Sequence, residues 1–214
     1  MSTPVPEFPD AAGSHPTFTF GGYATETGGL EGVSFWPRVA ARVIDLVIHY
    51  CVSFAAGIFF TILLAAASGG HIPFWVMVKL RHVGVPGFVA SLLGSFAYQV
   101  VGVSVHGSTL GKRVLSMVVV QEDGTPCRFR SAIIRELGYF IDAFFFGLIA
   151  YFQMQKSAKE QRYGDEWAGT VVCKRSAVAP EQLRSGGRFV LGLMLGTMAD
   201  AALIMIGLLV VINS

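Results

Sequence analysis

Four stretches of this chain are apolar enough to belong in a bilayer. They fall at residues 38–67, 85–105, Leu137–Met154 and Phe189–Ile212. Crossing about 30 Å of hydrocarbon takes about 20 apolar residues in a helix. The first, second and last stretches meet that length; the third is marginal. The connections read differently. Residues 68–84 open with Ser68-Gly69-Gly70 and contain His71, Pro73, Trp75, Lys79, Arg81 and His82, a loop with one aromatic residue suited to the interface. After the second stretch, Val114–Val120 is rich in β-branched residues and runs into Glu122-Asp123-Gly124, the pattern of a strand and a tight turn. A second turn-and-strand signal, Gly164–Val172, lies in the loop 155–188, and its strand is expected to pair with Met117–Val120. The fold class is therefore an all-α integral membrane protein, with three to four transmembrane helices and a small cytoplasmic β-hairpin-like element.

Ionisable residues interrupt these apolar stretches. Arg38, Arg42 and Asp45 are spaced four and three apart, so at about 3.6 residues per turn they share one helical stripe. An Asp at the centre of a membrane helix costs roughly 2.5 to 3.5 kcal/mol on insertion scales, so each one needs a reason. Asp45 is expected to face the protein interior and to pair with Arg38, Arg42 or a basic residue of the third segment. Arg135 and Ile141-Asp142 repeat the spacing of Arg38 and Ile44-Asp45, two turns apart. Asp200 lies near the middle of the last stretch, on one row with Gly192 and Gly196, so the face that packs most closely also bears the acid. No Lys or Arg lies within a turn of it, which keeps it protonated unless a cation or a residue of another helix joins it. In the second stretch Gly87, Ser91, Gly94, Ser95 and Gly102 form a side for close helix packing.

Composition agrees: 53% of the 214 residues are hydrophobic and 14% are charged, against about 25% charged in soluble domains. The Pro-, Gly-, Ser- and Thr-rich first 33 residues have no basic n-region and no apolar core, so they read as a disordered tail and not as a cleaved signal. The first span then serves as its own insertion signal. Segment 106–136 holds five Lys and Arg, segment 155–188 holds seven and loop 68–84 holds two. Both basic segments should lie in the cytoplasm. They can do so only if Leu137–Met154 dips into the membrane and returns, or lies in the interface, with Gly138 and Gly147 as bends. A fourth full crossing is the alternative. The domain plan is a tail over 1–34, a membrane domain over 35–176, and a linker with one extra transmembrane helix over 177–214.

Several chemistries are excluded. Gly107-Ser108-Thr109-Leu110-Gly111-Lys112-Arg113 invites a phosphate-loop reading, but three residues separate the glycines and Arg113 stands where Ser or Thr should hold magnesium. Cys51, Cys127 and Cys173 are scattered, with neither a disulfide nor a zinc pattern. No basic patch suits nucleic acid. No Ser/His/Asp or Cys/His arrangement with workable placement is visible, so the expectation is a protein that is not an enzyme and has no cofactor.

The chain resembles the RDD family of bacterial membrane proteins over residues 33–175. The resemblance rests on Phe35-Trp36-Pro37-Arg38-Val39-Ala40-Ala41-Arg42-Val43-Ile44-Asp45 and Gly107–Leu115 with Val118-Val119. It continues through Arg135 with Ile141-Asp142, and Gly164-Asp165 with Ala168–Val172. The family takes its name from one Arg and two Asp. Arg38 or Arg42 fits the first position, Asp45 the second, and Asp142 or Asp165 the third. The resemblance implies a multi-pass protein of the bacterial plasma membrane; cation/proton exchange is suggested for some members, and assembly or accessory roles for others. Two functions stay open. In one, Asp45, Asp142 and Asp200 bind a proton or monovalent cation, with Arg38, Arg42 and Arg135 as charge partners. In the other, the Arg–Asp pairs only fix helix packing in a scaffold or accessory subunit. Expected partners are the lipid bilayer and a second copy of the chain or another membrane protein.

Overall fold

The computed structural model describes residues 30–81, 84–145 and 147–213. The expected tail over 1–34 falls mostly outside these. Its last residues do not: the Val33 N–H donates to the Val172 carbonyl at 2.8 Å, and Val33 is buried in the core.

Among the described residues, three helices are long and apolar enough to cross a membrane. Helix α1 (Phe35–Ala67) is roughly 50 Å long at about 1.5 Å per residue. Its apolar residues outnumber what the bundle can cover, and Tyr50, Phe54, Phe59 and Ile62 face outward as lipid contacts. A short helix α2 (Phe74–Arg81) forms in the first connection, directly after Pro73, which is compatible with a helix start. Helix α3 (Gly84–His106) returns through the membrane. A short helix α4 (Leu110–Val114) leads to strand β1 (Met117–Gln121). Helices α5 (Phe129–Phe144) and α6 (Leu148–Lys156) follow, then a single-turn α7 (Tyr163–Trp167), strand β2 (Thr170–Lys174) and the last long helix α8 (Gly186–Asn213).

The predicted strand pairing forms. β1 and β2 are antiparallel, in a register that runs from Met117 opposite Lys174 to Gln121 opposite Thr170. Gly124, at φ 81°, closes the turn after β1. Ahead of β2 the turn signal at Gly164 is realised as α7. This sheet brings the two basic segments to one side of the bundle. The third apolar stretch allows it because it is not one long helix: α5 and α6 are each too short to span a bilayer, and Gly147 at φ 80° bends the chain between them. Gly138 is not a bend. It lies inside α5, where an added Cβ would collide with the Gly164 Cα, so its role is to let α7 approach. Phe140, Ile141, Leu148 and Phe152 stay exposed on this hairpin, as expected for elements resting in the interface.

Helix α8 packs along α3 through the predicted glycine row. Gly192 lies against Val105, Gly196 against Tyr98, and Asp200 against Gly94, where a Cβ would strike the Asp200 carboxylate. Without a hydrophobic force between helices in lipid, such close approach is what holds them. At the end remote from the sheet, the Lys79 ammonium of α2 donates to the Ile212 carbonyl of α8 at 2.8 Å.

Candidate functional site

The buried residues of α1 are Ala41, Asp45, His49, Ala56 and Phe60, a single stripe turned towards the other helices. It carries two polar centres at different depths, and a third lies at the start of the helix.

At the sheet end, Arg38 does not pair with Asp45. Its Nη1 donates to Asp165 Oδ2 at 2.6 Å, while Nε and Nη2 donate to the Val33 and Glu160 carbonyls. Arg135 Nη2 stands 3.1 Å from Asp165 Oδ1, within ion-pair distance but without hydrogen-bond geometry, and Arg162 Nε lies 3.5 Å from Oδ2. The echo between Arg38 and Arg135 thus resolves into two arginines meeting on one acid, Asp165. Burial alone would raise the Asp165 carboxyl, but Arg162, Arg135 and Arg38 outweigh it and hold it well below the usual carboxylate range. Asp142 pairs with Arg162 at 3.3 Å and not with Arg135; burial pushes it up to about 6 against the pull of Arg162. Arg42 donates to Glu136 at 2.6 Å and stacks on Tyr139, 4.1 Å from the ring centre.

One turn deeper, Asp45 meets the loop that resembled a phosphate loop. The Gly111 N–H and the Tyr98 hydroxyl donate to Oδ1 at 2.8 and 3.2 Å. The Thr109 hydroxyl and the Gln99 amide donate to Oδ2 at 2.6 and 2.8 Å. Lys112 is 3.9 Å from Oδ2. The expected pairing of Asp45 with Arg38, Arg42 or a basic residue of the third segment is corrected: Arg38 turns to Asp165 of α7 and Arg42 to Glu136 of α5, and Lys112 and four donors take their place. A helix N-terminus binds anions through its free N–H groups. Here the anion is the protein's own Asp45, and Gly111 is required because a Cβ would strike the Ala41 carbonyl.

At the middle of the bundle, Asp200 Oδ2 lies 2.8 Å from His49 Nδ1, and His49 Nε2 lies 2.8 Å from the Ser91 hydroxyl. With Nδ1 protonated, the imidazole donates to the carboxylate and accepts from Ser91. His49 is the residue of another helix that Asp200 lacked in its own sequence neighbourhood. The signal was present: Asp45, His49 and Ser53 recur every four residues on α1. Ser91, His49 and Asp200 come from α3, α1 and α8, so no local spacing linked them. Asp200 Oδ1 has no hydrogen-bond partner. Among the described residues there is no group of His, Cys, Asp and Glu able to hold a metal ion.

No curated protein and no solved structure matches the chain. The RDD family model matches residues 33–169, more than half of the chain, and spans Arg38, Asp45, the 107–113 loop, Asp142 and Asp165 but not Asp200. With its Arg38–Asp165 pair and its clamped Asp45 inside that match, the chain belongs to the RDD family.

Proposed function

We propose that this membrane protein moves protons, in exchange for a small cation, through the centre formed by Asp200 and His49. The observation that carries this reading is the hydrogen-bonded run Asp200–His49–Ser91, buried halfway along α8, with one carboxylate oxygen unpartnered. Holding two protons between them, His49 and Asp200 are together neutral, whether as imidazolium beside carboxylate or as imidazole beside carboxylic acid. The Nδ1-protonated imidazole that accepts from Ser91 beside a carboxylate is the state after one proton has left. Losing that proton leaves an uncompensated charge at mid-depth, a cost that an arriving cation at Oδ1 removes. Proton release and cation binding are thereby coupled.

Two openings flank the centre. A cavity of about 370 Å³ on the sheet side is lined in part by Leu46 and Gln99. A groove of about 500 Å³ at the other end holds Ser53 and Thr61 among apolar residues, including the outward-facing Phe54 and Ile62, and so opens on the lipid side of α1. Leu46 and Ser53 are separated by roughly 10 Å along α1. Of the other candidate acids, Asp45 is saturated. A carboxylate offers about four lone-pair sites, and four donors fill them, leaving no place for a cation. Hydrolysis is not proposed for the Ser91–His49–Asp200 run. Ser91 lies inside α3, whose backbone N–H groups are spent on the helix and cannot stabilise an oxyanion. By the excess of Lys and Arg, the sheet side is the cytoplasmic side of a bacterial plasma membrane.

The scaffold reading keeps one specific support: Arg38–Asp165, Arg42–Glu136 and the Asp45 clamp are ion pairs and hydrogen bonds closed on themselves. Proteoliposomes with an internal pH-sensitive dye and varied external cations separate the two. The transport reading expects cation-dependent proton flux in the wild type, lost in Asp200→Asn and His49→Gln at normal membrane abundance. Absent flux in well-folded wild-type protein, or unaltered flux in Asp200→Asn, leaves the scaffold reading standing.

A further inference from the structure

The ion pairs of the sheet end do not use every cation there. Arg38, Arg42, Lys112, Arg135 and Arg162 all meet carboxylates. On another flank, where α3 ends and α8 begins, Arg113, Arg175, Arg184 and Arg188 meet none among the described residues. Glu181, three residues before Arg184, is exposed and forms no ion pair. Three of the four arginines are held by contacts that leave their charge unanswered. Arg113 lies over the Phe189 ring, 5.6 Å from its centre. Phe189 meets His106 edge to face, with 5.1 Å between ring centres, and Arg175 Nη1 lies 3.4 Å from His106 Nε2. Arg184 Nη2 donates to the Cys127 carbonyl at 3.2 Å. An aromatic face, an imidazole and a carbonyl orient a guanidinium without neutralising it. All three are half-buried, and among the described residues their remaining side-chain N–H groups reach no acceptor. Arg175 is lowered from its ordinary range by burial and then by Arg113, so like charges lie close together with no acid between them.

This patch borders the apolar surface. Val114, next to Arg113 in sequence, is exposed, and so are Val190 and Leu191, directly after Phe189. A soluble anion gains nothing from those side chains. A lipid of the leaflet touches both, with its phosphate on the guanidinium groups and its acyl chains on the valines and the leucine. We propose that this flank binds the phosphate of an anionic phospholipid in the sheet-side leaflet, with Arg113, Arg175 and Arg184 as its donors. Guanidinium groups match phosphate oxygens through paired N–H donors. Clusters of Lys and Arg at the cytoplasmic ends of membrane helices attract anionic heads. Arg188, exposed in the first turn of α8, adds its charge at the rim. The site does not depend on proton movement at Asp200.

The test is native mass spectrometry of the full-length protein released from detergent micelles. It is titrated with phosphatidylglycerol and with phosphatidylcholine of the same acyl chains, and inorganic phosphate serves as competitor. Phosphatidylglycerol should be retained and phosphatidylcholine should not. Arg113→Gln combined with Arg175→Gln should weaken that retention about twentyfold, the effect of two arginines at an anionic surface. Should that double variant fail to fold, Arg188→Gln decides: its side chain is exposed and makes no hydrogen bond or ion pair, and its loss should weaken retention about fivefold. Arg81→Gln, exposed on α2 at the end remote from the sheet, should change nothing. Phosphatidylcholine retained as well as phosphatidylglycerol would overturn the proposal. So would full competition by inorganic phosphate, unchanged retention in Arg188→Gln, or an equal loss in Arg81→Gln.

Discussion

Replacing Asp45 with Ala removes the acceptor of four donors at once. Two of them recover: the Tyr98 and Thr109 hydroxyls rotate, and Tyr98 already accepts from the Leu110 N–H at 3.2 Å. The other two cannot. The Gly111 N–H is fixed in the first turn of α4, and the Gln99 amide is held by Lys112, which donates to its oxygen at 2.9 Å. Each buried donor left without a partner costs about 1 to 3 kcal/mol. The expected destabilisation of Asp45→Ala is therefore about 4 kcal/mol, large for a site where interhelical hydrogen bonds in membranes average about 0.6 kcal/mol. Asp45→Asn keeps one oxygen for Gly111 and Tyr98 and sets its NH2 against the Gln99 amide, a single bad contact worth about 2 kcal/mol. Reversible unfolding by steric trapping in bicelles reads both values. An Ala variant within about 0.5 kcal/mol of wild type, or an Asn variant as costly as Ala, would refute the clamp. The flux assay adds a second arm: Asp45→Asn protein that has folded should still carry the proton flux that Asp200→Asn loses.

Other outcomes follow from the same geometry. Asp165→Asn leaves three arginines around a neutral amide and should cost about 3 to 5 kcal/mol, read as a fall in membrane abundance and in unfolding midpoint. Asp142 titrates in the folded protein near 6 and at its ordinary lower value when unfolded, so the folded state holds the extra proton between those values; stability should decline as pH rises through that window and level off above it, and Asp142→Asn should remove the slope. Cysteines introduced beside Lys159 and beside Arg128 should both resist an impermeant thiol reagent added outside intact cells, whereas one at Gly70 should react; labelling beside Lys159 would mean that the α5–α6 hairpin crosses the membrane after all.

What could be read in the sequence was what depends on near neighbours. The Val-rich run of β1 and the β-branched start of β2 declared themselves by composition, and the Gly192–Gly196–Asp200 row by spacing. The partners of the charges did not. Arg38 and Asp165 are 127 residues apart, and His49 and Asp200 are 151 apart; a helical stripe tells which way a charge faces, not what waits opposite. The glycines were half legible. Gly147 bends the chain as read, but Gly138 serves a contact with α7 that nothing in its own segment announces. The 107–113 loop lacks the spacing of a phosphate loop, yet its Gly-rich start to a helix does bind a carboxylate, one carried by α1.

The clamp around Asp45 and the pairing of Arg38 impose an order on biogenesis. The chain is made from α1 onward, and α1 must enter the bilayer before any of its partners exists. Gly111 follows Asp45 by 66 residues, and Asp165 follows Arg38 by 127. At synthesis rates of about 5 to 20 residues per second, Arg38 waits roughly 6 to 25 seconds for its acid. The partners arrive in turn, Gly111 for Asp45, then Glu136 for Arg42, and Asp165 for Arg38 last, and until each does so its charge on the first helix depends on the insertion machinery or on the lipid surface to hold it. Only with α7 does the protein take over the last of these charges, and a nascent chain arrested before Asp165 should be surrendered to quality control more often than one arrested after it.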